Sequence, residues 1–268
     1  MSKILQYYKN LPKNEFRQFR KEISLPEYII WWIIRGLMIY ALCRQMSNPD
    51  VLIINCLAIA GNLLATFTVI LGRIIFPKFF FLGRLPYILQ RYITLPVFLG
   101  CFFGQYMHFY SRYSSYDKWL HLIAGFIGVF IGYHVMMAMK HNKRLVPPFI
   151  ASFVSFGFSC FISVAWEIFE FIFDFYFASS YNQNYRWNPD PDNLFFKIFG
   201  EGAGNAGQVA LYDTMFDVII GVIGAIIGGI VIWPYVKHEM KKISDSTRGD
   251  DRLIWEEIQD KKAQSLTK

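Results

Sequence analysis

The chain has 268 residues, of which 54% are hydrophobic, 19% aromatic and only 18% charged, with a formal net charge of +7. A soluble domain carries about a quarter charged residues, whereas here the mean hydropathy is +0.29 and the apolar residues gather in long blocks. Composition and blocks together exclude a disordered chain, a small disulfide scaffold and an ordinary cytosolic enzyme, and they place the protein in a membrane.

Residues 1–26 form a basic arm that mixes Lys3, Lys9, Lys13, Arg17, Arg20 and Lys21 with Ile4, Leu5, Tyr7, Tyr8 and Phe16. That mixture predicts an amphipathic helix lying on anionic lipid. No apolar h-region follows Lys3 closely, so the arm does not read as a cleaved signal peptide. A membrane domain over 27–236 follows, with apolar runs near Tyr28–Cys43, Val51–Leu71, Ile93–Tyr110, Tyr116–Met139, Phe149–Phe177 and Asp213–Val236. Each is expected to be a transmembrane helix, since crossing a bilayer takes roughly 20 helical residues. Gln90 and Arg91 interrupt the approach to the third run, and the stretch from Phe76 to Leu82 is too short to span and suits the interface. The strands of a barrel would alternate apolar and polar residues, but these runs are apolar all round. The expected fold is therefore all-α, a polytopic membrane protein with six transmembrane helices and an N-terminal interfacial helix. Residues 237–268 form a charged tail.

Orientation follows from lysine and arginine. The N-terminal arm, the second and fourth loops and the tail hold 21 of the 27, and the alternate compartments hold five: Arg44, Arg112, Lys118, Arg186 and Lys197. The bias predicts cytoplasmic N and C termini in the inner (cytoplasmic) membrane. It also accounts for the net charge without nucleic acid, for which no recognition motif is present. Arg35 remains, about 10 Å into the first span by helical rise, and is expected to snorkel to cytoplasmic phosphates. Cys43, Cys56, Cys101 and Cys160 fall in four different spans with no C-x-x-C pair, and read as small buried hydrophobes.

Charge inside a span is costly, and the acids associated with spans gather in the last three. Asp117 and His121 open the fourth span at i, i+4. Glu167, Glu170 and Asp174 lie near the end of the fifth at i, i+3 and i+7, and Asp213 and Asp217 open the sixth at i, i+4. Each set shares one helical face. With alternating directions all three sets fall at one depth on the outer side. Below them run Gly125, Gly128 and Gly132 on one helix and Gly221, Gly224 and Gly228 on another, stripes that let helices pack closely in lipid. The outer loop from Ala178 to Tyr212 is positioned to cover the pocket.

The order Tyr116-Asp117-Lys118-x-x-His121, Trp166-Glu167-x-x-Glu170-Phe171, Asp213-Thr214-x-x-Asp217 resembles the YjdF-like inner-membrane proteins. More distantly it is similar to the VanZ-like family, with its Asp-Lys-x-x-His opening and a later Asp before a Gly-rich helix. The likeness covers roughly residues 85–236. Phe171 stands where the resemblance implies Trp, and no activity comes with the family.

Carboxylates and a neutral imidazole suit divalent Mn, Zn or Fe, and a cation offsets the repulsion among clustered acids. Asp117, His121, Glu167, Glu170, Asp213 and Asp217 are thus the expected metal ligands. His121, Glu167, Glu170 and Asp217 are the expected catalytic groups of a metal-dependent enzyme acting on a lipid-linked or membrane-embedded substrate at the outer leaflet. The alternatives are a proton- or ion-coupled transporter and a structural or accessory membrane protein. Membrane lipids are the expected partners. The orientation has a direct test: an impermeant thiol reagent on intact cells should label Ser180→Cys and spare Ser244→Cys, and the reverse pattern would overturn the sidedness.

Overall fold

The computed structural model describes residues 15–48, 53–76, 78, 80–113, 115–140, 146–176 and 206–266, and all regular structure among them is helical. The helices are α1 (15–22), α2 (Leu25–Met46), α3 (Ile53–Ala65), α4 (Thr68–Ile75), α5 (Leu89–Phe98), α6 (Phe109–Arg112), α7 (Tyr116–Met139), α8 (Pro148–Tyr176) and α9 (Ala206–Leu266). The first 14 residues of the basic arm, most of the expected outer loop from Ala178, and the Asp174 side chain lie outside the described residues.

Four helices are long and apolar enough to cross a membrane: Leu25–Met46, Tyr116–Met139, Pro148–Phe173 and Leu211–Lys242. The expected second span is instead a pair, α3 and α4, bent by 62°, which makes a fifth if the pair counts as one crossing. The third run begins earlier than its hydropathy indicates. It has 10 residues of α-helix, then 8 residues of wider π-helix (Leu99–Tyr106), and breaks at His108, whose φ of 59° is left-handed. Its polar start and short length leave it outside the set of clear spans.

The bend explains Arg35, which does not snorkel. A helix break exposes backbone carbonyls that lipid cannot satisfy. The Arg35 guanidinium, buried on α2, donates to the Thr66 carbonyl at 2.6 Å and the Thr66 hydroxyl at 3.2 Å. It also lies 4.0 Å from the centre of the Phe67 ring. Fixed acceptors at the break, the Thr66 carbonyl and hydroxyl oxygens, thus replace the phosphates expected from helical rise alone.

A second polar knot pins α1 to the α4–α5 region. Arg73 donates to Glu15 (2.6 Å), Gln18 (2.6 Å) and the Leu85 carbonyl (2.6 Å), and the Tyr87 hydroxyl also donates to Glu15 at 2.8 Å. Burial works to raise the Glu15 carboxyl, but the Arg73 and Tyr87 hydrogen bonds and the Arg73 and Lys78 charges hold it below its ordinary value. Burial, and then the hydrogen bond to Glu15, push the Tyr87 phenol up. Arg84 reaches the Ala138 carbonyl at 2.8 Å and so ties this half of the molecule to α7.

The other half is a tight bundle of α7, α8 and α9. Glycine makes it possible. A Cβ at Gly125 would overlap the Gly221 carbonyl, and one at Gly224 would overlap the Leu122 carbonyl and stand 3.0 Å from the Phe126 nitrogen. On the α8 side, the buried Ser159 hydroxyl donates to the Gly125 carbonyl at 2.6 Å. Gly229, by contrast, has nothing within 4 Å of its Cβ position. Gly224→Ala should therefore push α9 from α7 and cost about 1–3 kcal/mol. Gly229→Ala should be neutral or stabilise by up to about 1 kcal/mol through helix propensity. Thermal unfolding of the two variants in the same detergent checks the pair.

Candidate functional site

The acids and the histidine come from three helices. Asp117 lies in the first turn of α7, where the unpaired amides and the helix dipole favour negative charge. His121 is one turn further on the same face. Asp213 lies near the start of the span Leu211–Lys242, as expected, but helix α9 itself starts earlier, at Ala206. Asp213 thus sits about two turns inside the helix, out of reach of the dipole that would favour it, and Asp217 is one turn deeper. Glu167 lies more than two turns before the end of α8. The α7 start is held in place by the Tyr116 hydroxyl, which donates to the Leu99 carbonyl at 2.9 Å.

Antiparallel packing brings these groups together. His121 Nε2 is 3.7 Å from Asp117 Oδ1 and 3.8 Å from Asp217 Oδ1, while Nδ1 faces Glu167 Oε1 at 3.6 Å. His121, Glu167 and Asp217 are buried, Asp217 with only 1% of its surface exposed, and Asp117 is half-buried at the rim. The buried Asp217 Oδ1 makes no hydrogen bond. Glu170, one turn beyond Glu167 and half-buried, accepts a hydrogen bond from the Trp166 indole at 2.8 Å. Among the described residues, Asp117, His121 and Asp217 are the group whose ligand atoms lie within 4.8 Å of one another.

At the centre stands a residue that the sequence reading counted as a loop charge. Lys118 is buried, and its ammonium pairs with Asp213, with Asp217 Oδ2 at 2.8 Å and with Asp117 Oδ2 at 3.4 Å. The cation needed to offset clustered carboxylates is thus partly supplied by the chain itself. Its signal was in the sequence: a lysine in the first turn of an apolar helix faces whatever packs on that turn, and both later helices carry acids at that depth. Elsewhere on α7, His134 stacks on Tyr92, with ring centres 5.9 Å apart.

The arrangement concentrates carboxylate around one ammonium in a site screened from water, where a broken pair is expensive. In metal-free buffer, Lys118→Met should lower stability by about 3–5 kcal/mol. Lys118→Arg should lose less, because it retains the charge. Denaturant or thermal unfolding in detergent measures both.

No curated protein and no solved structure matches the chain. A family described as "Predicted membrane protein (DUF2238)" matches residues 28–238, a stretch that runs from the first turn of α2 through α8 and into most of the membrane part of α9. That match covers most of the sequence and all of the acidic and imidazole cluster, and the chain belongs to this family of predicted membrane proteins.

Proposed function

We propose that this protein is a metal-dependent enzyme of the inner membrane that acts on a lipid-linked or membrane-embedded substrate at the outer leaflet. The observation that carries the reading is the convergence of Asp117 Oδ1, His121 Nε2 and Asp217 Oδ1 on one small volume. Two ligands about 2.1 Å from one ion in a tetrahedral arrangement stand about 3.4 Å apart. The imidazole-to-carboxylate separations of 3.7 and 3.8 Å are close to that value and too long for hydrogen bonds.

Glu167, on the far side of the imidazole, has the place of the carboxylate that orients a metal-bound histidine. In this reading Glu170, one turn beyond Glu167, exchanges a proton with the substrate. A divalent ion held here would polarise a phosphoryl oxygen or activate water. Exposed Trp119, Trp166, Phe169 and Tyr212 flank the cluster in sequence and offer a surface along which a lipid-linked substrate can approach within the bilayer. Six crossings with cytoplasmic termini, and the likeness to YjdF-like and VanZ-like proteins, belong to the same reading. They follow from the basic-residue bias and the motif order.

The test uses a strain whose phenotype depends on this protein. Asp217→Asn and Glu170→Gln should insert and fold like the parent but fail to restore the phenotype. The purified Asp217→Asn protein should bind Mn2+ at least about 10–100-fold more weakly, the range already seen when groups behind a ligand are changed. Activity should disappear on chelation and return with one divalent ion. A chelator-insensitive flux driven by a proton gradient in proteoliposomes would replace this reading with transport.

A further inference from the structure

Two carboxylates in the cluster are each shared between two neighbours. Asp117 turns Oδ2 to the Lys118 ammonium at 3.4 Å and Oδ1 to His121 Nε2 at 3.7 Å. Asp217 repeats the division, with Oδ2 to Lys118 at 2.8 Å and Oδ1 to His121 at 3.8 Å. Asp213 completes the Lys118 side and Glu167 backs the His121 side. Carboxylates that offer one oxygen to each of two adjacent positions are the bridging element of two-metal sites, in which the ions stand about 3.5–4 Å apart. Here one of the two positions holds an ammonium.

The geometry points to a two-cation site in which Lys118 permanently takes the place of one ion, so that the protein binds a single divalent cation, on the His121 side. This inference rests on the metal reading above. The donor set supports it: four carboxylates, Asp117, Glu167, Asp213 and Asp217, stand within 4 Å of the Lys118 ammonium or the His121 ring, more acidic groups than one ammonium can pair with. The oxygen that bears on the ligand is Asp217 Oδ1, which is buried, makes no hydrogen bond and faces the imidazole. The ammonium has the opposite consequence for a second ion. Its charge and its bonds to Asp213 and Asp217 occupy the oxygens that such an ion would need. Lys118 therefore sets the nuclearity of the centre, acting as a positioning residue through the carboxylates it holds.

Stoichiometry decides the matter. The full chain, purified in detergent and stripped with chelator, is titrated with Mn2+ and read by elemental analysis and electron paramagnetic resonance. The parent protein and Lys118→Arg should each bind one Mn2+ per chain with the spectrum of an isolated ion. Lys118→Met and Lys118→Asn, prepared with Mn2+ throughout, should bind two and show spin coupling between neighbouring ions. Two ions in the parent, or one in either folded neutral variant, would overturn this inference and leave the metal reading standing. Failure of both neutral variants to fold with Mn2+ present would also count against it, because the ion is expected to replace the ammonium. A parent protein that binds no Mn2+, Zn2+ or Fe2+ would remove the metal reading itself, a result distinct from the others.

Discussion

A buried ammonium can only be held where carboxylates meet it, and in this protein those carboxylates lie on two helices. Lys118 on α7 pairs with Asp213 and Asp217 on α9, far apart in sequence. Removing either side would strand charge in a medium that cannot solvate it. The pairing therefore sets the rotation and the height of α9 against α7. The glycines below it permit the approach that the pairing requires: Gly224 rests on the Leu122 carbonyl one turn beyond Lys118, and Gly228 on the Phe126 carbonyl. Charge at the Asp117 end of α7 and backbone contact along the rest of the interface specify the same register.

The same constraint shapes the other half of the molecule with different chemistry. Where the chain breaks between α3 and α4, Thr66 presents a carbonyl that its own helix does not use, and Arg35 satisfies it from α2. Where α1 meets the α4–α5 region, Arg73 and Tyr87 share Glu15. In each case an irregular or charged element inside the apolar region is matched by a dedicated partner, as burial away from water demands. These two sites are organised by guanidinium and phenol donors and read as architecture. The cluster where α7, α8 and α9 meet differs in its chemistry, because it sets one imidazole within 4 Å of three carboxylates.

Much of the architecture was legible from the residues. Long runs such as Tyr116–Met139 announce a membrane helix through hydropathy alone, because lipid selects for apolar side chains on every exposed face. The face shared by Asp117 and His121 follows from helical periodicity. The shared depth of His121, Glu167 and Asp217 follows from alternating helix directions. Hydropathy did less well where the chain is irregular. The bend at Thr66 and the π-helical stretch from Leu99 to Tyr106 depend on how backbone groups find partners, and side-chain polarity does not report that.

By itself, then, the sequence determined membrane residence, helical class, the approximate spans and the company of acids and histidine at one level. These are properties of single helices, and solvent preference and a 3.6-residue period suffice to derive them. Only the tertiary structure decided that Lys118 lies inside the cluster instead of in a loop, that Asp117 and Asp217 each divide their oxygens between an ammonium and an imidazole, and that Arg35 serves a backbone carbonyl. Each of these depends on the rotation of one helix against another. That rotation is set by packing between residues distant in the chain, through the carbonyl contacts of Gly125 and Gly224 and the fit of one ammonium among three carboxylates.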